Sequence, residues 1–207
     1  MHLVLGLGNP GGRYRHNRHN VGFMVIDRLA RRAGAACDRK LLGALVAKVE
    51  LRGEDVVLAQ PQSFMNLSGQ PTASLRGFYK CPVERIVVVH DELDLPFGDV
   101  RVKLGGGHGG HNGVRDIQAK LGENGFVRVR FGIGRPPAGR DTANYVLSDF
   151  TGDEAAQLDE LVDLAADAVE TVVSEGVQAA MNRFNVRSTG RGGRPDPGSA
   201  DSASTES

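Results

Sequence analysis

The chain has 207 residues, with 25 Lys and Arg balanced by 25 Asp and Glu, two cysteines and no tryptophan. This length suits a single α/β domain, no apolar run approaches the roughly 20 residues of a membrane span, and the opening Met1-His2-Leu3-Val4-Leu5-Gly6 lacks the basic and long apolar regions of a signal peptide. A cytoplasmic, soluble protein without membrane contact is expected, and since Cys37 and Cys81 have no second Cys or His at metal-like spacing, both read as reduced packing residues.

In chain order, His2 to Leu7 is a short apolar run that reads as a buried strand, followed by a polar stretch over 12–18. Val21, Met24, Val25 and Leu29 share one helical face, which predicts a helix to about Gly34. Leu45–Leu51 and Val56–Gln60 are strand-like runs joined through Arg52-Gly53-Glu54-Asp55, a hairpin signal. Ser68 is a candidate cap for a helix reaching about Tyr79, with Pro71 tolerated in the first turn. Ile86–Val89 is the clearest buried strand and delivers His90 and Asp91 at its carboxyl end, where α/β sheets place ligand sites.

Val100–Leu104 predicts another strand, then a glycine loop, a helix from Asn112 or Gly113 to about Leu121, and a strand over Val127–Ile133. A long helix at about 151–174 and a shorter one at about 176–184 complete the pattern. The order implies an α/β fold: a single-domain three-layer αβα arrangement, with a twisted mixed sheet flanked by helices, over 1–185. Residues 186–207 are dominated by Gly, Ser, Pro, Arg and Asp and are expected to form a disordered tail.

The zero net charge hides a division. Residues 1–148 hold 21 Lys and Arg against 13 Asp and Glu, an excess of eight positive charges, while residues 149–185 hold nine acids against Arg183 alone. A solvated helix carrying acids explains this, and so does a first part that faces a polyanion with the acidic helix elsewhere.

Amide and imidazole side chains gather in four turn-rich segments: Gly6-Leu7-Gly8-Asn9-Pro10-Gly11 leading to Arg18-His19-Asn20; Ser63-Phe64-Met65-Asn66; His90-Asp91-Glu92; and Gly105–Gly113 with His108, His111 and Asn112. Gathering such groups costs desolvation, so their position at the ends of apolar runs suggests one polar site. The first segment matches a dinucleotide fingerprint only formally, because Pro10 sits inside it and Arg13–His19 is too polar to pack as the helix start. His108 and His111 lie among glycines rather than on a helix face, which argues against a metal. No G-x-S-x-G elbow or activated cysteine is present, leaving water as the nucleophile. Water attack on an ester or amide needs a base, a group that orients it and donors for the oxyanion; His, Asp and Asn side chains supply these.

Together with Tyr14, Val21-Gly22, Leu67-Ser68-Gly69, Leu93-Asp94 and Gly132-Ile133-Gly134-Arg135-Pro136, these segments closely resemble bacterial-type peptidyl-tRNA hydrolase, in order, over about 1–185. The resemblance implies cofactor-free hydrolysis of the ester joining a peptide to the tRNA 3′ end. It makes His19 the base, Asp91 its holder, and Asn9, Asn66 and Asn112 the lining of the site, with Asn112 helping to position or activate the water. Met65, Tyr14 and His111 resemble substrate-contact positions, and Lys103 and Arg130 match basic positions associated with tRNA phosphate. Peptidyl-tRNA, through its acceptor stem and 3′ end, is the expected partner, and a monomer is expected. Gln60 stands where a lysine is frequent and Asn17 where a threonine is frequent, so contacts there are expected to differ. An RNA-binding module without catalysis is the alternative of another class.

Overall fold

Alternating side chains in the strands set two packing faces. The computed structural model describes residues 1–185, so the expected disorder of 186–207 lies outside the described residues. Strand β1 (His2–Gly6) sends Leu3 and Leu5 to one face and Val4 to the other. Helix α1 (Val21–Arg32) covers the Val4 face, and a hairpin of β3 (Ala44–Leu51) and β4 (Glu54–Pro61) follows short edge strand β2 (Arg39–Leu41). Helix α2 (Gly69–Tyr79) covers the Leu3 and Leu5 face, then come β5 (Ile86–Glu92), β6 (Val100–Leu104), α3 (Asn112–Leu121) and β7 (Val127–Gly132). The chain ends in α4 (Thr142–Val146), α5 (Asp153–Glu175) and α6 (Val177–Phe184).

The seven strands form one mixed sheet in the order β2-β3-β4-β1-β5-β7-β6. The central β4, β1, β5 and β7 run parallel, while β2/β3, β3/β4 and β6/β7 pair antiparallel. Helices α1, α5 and α6 pack on one face with Val4, Leu58, Val87, Val89 and Val129. The opposite core joins α2 and α3 to Leu3, Leu5, Val57, Ile86 and Val88. The expected three-layer αβα arrangement is therefore present, and all four central strands present their carboxyl ends along one edge of the sheet.

Several boundaries differ from expectation for local reasons. Only Arg52 and Gly53, both with positive φ, form the hairpin turn, so Glu54 and Asp55 belong to the strand. Ser68 is not a side-chain cap: its backbone is already helical, and its hydroxyl donates to the Met65 carbonyl at 2.8 Å. The α2 amino terminus is held from outside, by Asp116 Oδ2 accepting from the Gly69 N–H at 2.6 Å. Strand β2 and helix α4 were not anticipated, since Arg39-Lys40-Leu41 has no alternation and α4 spans five residues.

One contact places the site. A Cβ on Gly6 would stand 2.2 Å from the Gly22 carbonyl oxygen, and a Cβ on Gly22 would stand 2.3 Å from the Leu7 nitrogen and 2.5 Å from the Val89 oxygen. These two glycines let α1 start directly against the ends of β1 and β5. The turn carrying His19, just before α1, is thereby pressed onto the end of β5.

Candidate active site

Three segments meet at the carboxyl edge of the central strands. The single turn Arg18–Asn20 carries His19, the buried end of β5 carries Asp91, and the start of α3 carries His111 and Asn112. His19, Asp91, His111 and Asn112 line one cavity of about 360 Å³, together with Asp141, Thr142, Ala143 and Val146 at α4.

The hydrogen-bond network assigns the tautomers. His19 Nδ1 lies 2.8 and 3.0 Å from the two Asp91 oxygens, and His111 Nε2 lies 2.9 Å from Asp91 Oδ1. His111 Nδ1 accepts from the Val114 N–H at 3.3 Å, so its proton sits on Nε2 and donates to Asp91. His19 likewise donates from Nδ1, which leaves its Nε2 with a lone pair. Burial works against the Asp91 charge, but the His19 and His111 imidazoles outweigh it and hold the carboxyl far below the usual range. Burial also opposes a charged His19, yet the Asp91 charge and hydrogen bond dominate and raise its pKa above 6.5. His19, Asp91 and His111 are close enough to surround a cation, but the Asp91 contacts and the Val114 bond leave the two rings one uncommitted nitrogen. The cluster is better described as one carboxylate shared by two imidazoles.

His90 lies behind this pair, fully buried and edge-on to His111 with ring centroids 4.8 Å apart. Its Nδ1 donates to the Asp91 carbonyl at 2.7 Å, and burial with the neighbouring His111 keeps it neutral. Nε2 of His90 is buried without a partner.

Asn9 and Met65 are buried and joined to each other rather than to the cavity. Asn9 Oδ1 accepts from the Met65 N–H at 2.8 Å, while the Asn9 backbone N–H donates to Asn20 Oδ1 at 3.0 Å and the Asn9 carbonyl accepts from Asn20 Nδ2 at 2.9 Å. Because its oxygen is committed, the Asn9 side chain has only N–H to present. Asn66 is exposed on the turn Met65–Leu67, which packs against α3. Tyr14 is half-buried in the turn Gly12–Tyr14, and its hydroxyl is held by Arg13. Neither Tyr14 nor Asn66 lines the His19 cavity.

Strand register brings Lys103 and Arg130 to one face. Lys103 pairs with Arg128 and Arg101 with Arg130, while Arg130 also pairs with His90 across β5. Four cations therefore share the α2 and α3 side of the sheet at its β7/β6 edge. Arg130 lies 3.5 Å from Glu92, and Arg128 is buried, donating to the Gly105 and Gly107 carbonyls of the glycine loop. Sequence reading missed Arg101 and Arg128, although the i, i+2 spacing of Arg128 and Arg130 in a strand was their signal.

The acidic segment proves to be α5, and it lies on the opposite face. Its Asp159, Asp163, Asp167 and Glu170 pair with Arg28 and Arg32 of α1 and with Arg52. Gln60 and Asn17 are buried ties: Gln60 donates to Asp27 at 2.7 Å and to the Phe23 carbonyl at 3.1 Å, and Asn17 donates to Asp149 at 2.6 Å.

A sequence model of the family described as peptidyl-tRNA hydrolase matches residues 3–191. The chain is 54% identical over 183 residues to the peptidyl-tRNA hydrolase of Frankia casuarinae, covering 88% of this chain and 93% of the relative. It is 50% identical over 185 residues to that of Arthrobacter sp., covering 88% and 95%. A crystal structure of peptidyl-tRNA hydrolase from Acinetobacter baumannii matches with a TM-score of 0.84 at 38% identity, covering 90% of this chain and 95% of that chain.

Proposed function

We infer the chemistry of this site from one premise: the chain belongs to the peptidyl-tRNA hydrolase family. It is a hydrolase that cleaves the ester between peptide and tRNA, releasing the two parts. In our reading, His19 is the general base. With Nδ1–H held by Asp91, its free Nε2 takes a proton from water as the oxygen attacks the ester carbonyl. The resulting imidazolium is stabilised by the adjacent carboxylate and returns the proton to the departing ribose oxygen, so water is consumed and acid and alcohol leave. No covalent enzyme intermediate and no cofactor are needed.

Neutral amides supply the rest. Asn112, exposed at the first residue of α3 and facing the same cavity as His19, suits orientation of the water. Asn9, whose oxygen is taken by Met65, does not line the His19 cavity and is assigned to the substrate site on the family resemblance, with only its Nδ2 to donate. Asn66, Met65, Tyr14 and His111 are assigned to substrate contact on the family resemblance of their segments; of the four, His111 lines the His19 cavity. Lys103 and Arg130 would hold phosphates of the acceptor stem, in line with the cationic sheet face beside the glycine loop. We take the protein to act as a monomer, and the substrate supports a cytoplasmic location.

The observation that carries this reading is the His19–Asp91 pair at 2.8 Å lining a cavity shared with Asn112. Turnover of peptidyl-tRNA by His19→Ala tests it, with EDTA added in parallel. Loss of nearly all turnover in a folded variant, with EDTA without effect on the wild type, is expected; retained turnover removes His19 as the base.

A further inference from the structure

Arg18 immediately precedes the proposed base, does not line its cavity, and is 6% exposed. Its guanidinium lies between two rings, 4.5 Å from the Tyr145 centroid and 5.2 Å from that of Phe150. Nη1 donates to Ser148 Oγ at 2.7 Å and also to the Ser148 and Asp149 carbonyls, while Nη2 pairs with Glu154. The Arg18 N–H adds a bond of 3.0 Å to the Ser148 carbonyl. Tyr145 is itself fixed, donating its hydroxyl to the Ile133 carbonyl at 2.6 Å beyond the end of β7.

The segment so gripped is continuous with α4, whose Thr142, Ala143 and Val146, with Asp141 before it, line the same cavity as His19. One buried side chain thus ties the turn bearing the base to a second part of the cavity lining. An ammonium could not do this, because only a planar guanidinium stacks between rings while donating in several directions. We propose that Arg18 is a positioning residue for hydrolysis, fixing the His19 ring on Asp91 and the His19-to-α4 separation together. This rests on His19 being the base.

The groups facing His19 are Asp91 and Glu92 from β5, His111 from the start of α3, Asp141 ahead of α4, and Arg18 on its own turn. Burial lowers the His19 midpoint and Asp91, which alone of these hydrogen-bonds the ring, holds it up, so a turn displaced far enough to break that bond registers as a fall in the midpoint. Arg18→Met keeps the stem and removes the fork. In folded Arg18→Met, kcat/KM should drop about 10- to 100-fold, the scale of a small misplacement of a catalytic group, and the NMR titration of His19 should move down toward 6.5. Arg18→Lys restores charge beside Glu154 without the fork, so it should recover thermal stability while leaving the titration shifted. If Arg18→Met does not fold, the lysine variant decides alone.

A folded variant with unshifted His19 titration and wild-type kcat/KM overturns the proposal, as does failure of both variants to fold, which assigns Arg18 a purely structural role. His19→Ala in the same assay separates the two levels. Activity in that variant refutes the base itself, whereas an inactive His19→Ala beside a fully active Arg18→Met refutes only the positioning role.

Discussion

Asp91→Asn changes one atom at the point where two imidazoles converge, and the geometry fixes what must follow. Asp91 is 3% exposed, its Oδ1 receives both His19 Nδ1 at 2.8 Å and His111 Nε2 at 2.9 Å, and Oδ2 lies 3.0 Å from His19 Nδ1. An asparagine keeping its oxygen at the Oδ1 position satisfies both donors there but aims its NH2 at the His19 Nδ1–H. The conflict is relieved when His19 moves its proton to Nε2, and that tautomer cannot accept a proton from water. The opposite amide orientation faces N–H groups on both rings and is worse. The equivalent change in a Ser-His-Asp hydrolase lowers turnover about 10⁴-fold, so a loss of about 10³-fold or more in kcat is expected. Stability should fall by about 1.5–3 kcal/mol, the worth of one hydrogen bond to a charged group. The sign follows from the depressed Asp91 pKa: its contribution is present above the unfolded value near 3.8 and is lost as pH falls through the folded one, so at neutral pH the variant lacks it entirely. Steady-state hydrolysis of peptidyl-tRNA, with ¹⁵N shifts of the His19 ring, reads both effects. A kcat within tenfold of wild type would refute the tautomer argument.

Because Asp91 raises the His19 pKa, kcat/KM should climb with pH through a midpoint above 6.5, and a midpoint below 6.5 would contradict a base held by a carboxylate. The linked stability has the opposite sense: His19 contributes fully below 6.5, and its share is lost as pH rises through the folded value, which chemical denaturation at pH 6 and 9 would reveal against His19→Ala. Lys103→Ala and Arg130→Ala should each weaken tRNA binding and flatten the dependence of log K on log salt by about 0.7 to 0.9 per lost phosphate contact; an unchanged slope moves the tRNA elsewhere. Gly22→Ala forces a methyl to within 2.5 Å of the buried backbone of Leu7 and Val89, so a loss of about 3 kcal/mol or more is expected by denaturation, and wild-type stability would show that α1 can retreat at little cost.

Much of this was legible in the residues because two periodicities are strong. The alternation Leu3, Val4, Leu5 and the apolar run of β5 announce strands, and the polar groups clustered beyond them announce a site. What stayed hidden depends on partners distant in sequence. Ser68 has the chemistry of a cap, yet Asp116, 47 residues beyond Gly69, takes the Gly69 N–H because α2 and α3 touch backbone to side chain. Helix α4 offers too few residues for a period, and its importance lies in facing His19 across 123 or more positions of chain. Asn9 is expected from the sequence to line the site, whereas the Met65 bond leaves its side chain only a donor. The commitments of a buried polar group are set by whatever reaches it, and no local pattern encodes that.

The charge division acquires a physical meaning once the faces are known. Acids of α5 neutralise arginines of α1 and Arg52 at one face, in contacts that include Arg32 with Asp163, Asp167 and Glu170. Arg101, Lys103, Arg128 and Arg130 stand on the other face, where Glu92 and Asp99 are the acids paired with them. Zero net charge therefore coexists with a local excess of cations beside the glycine loop, and since screening at physiological salt limits attraction to about 8 Å, it is this local excess that would act on the tRNA backbone under the proposed function. The same arrangement keeps the acidic helix on the other face of the sheet, with Asp159, Asp163, Asp167 and Glu170 paired with arginines, so under the proposed function a polyanion drawn to the cationic face would not meet those carboxylates.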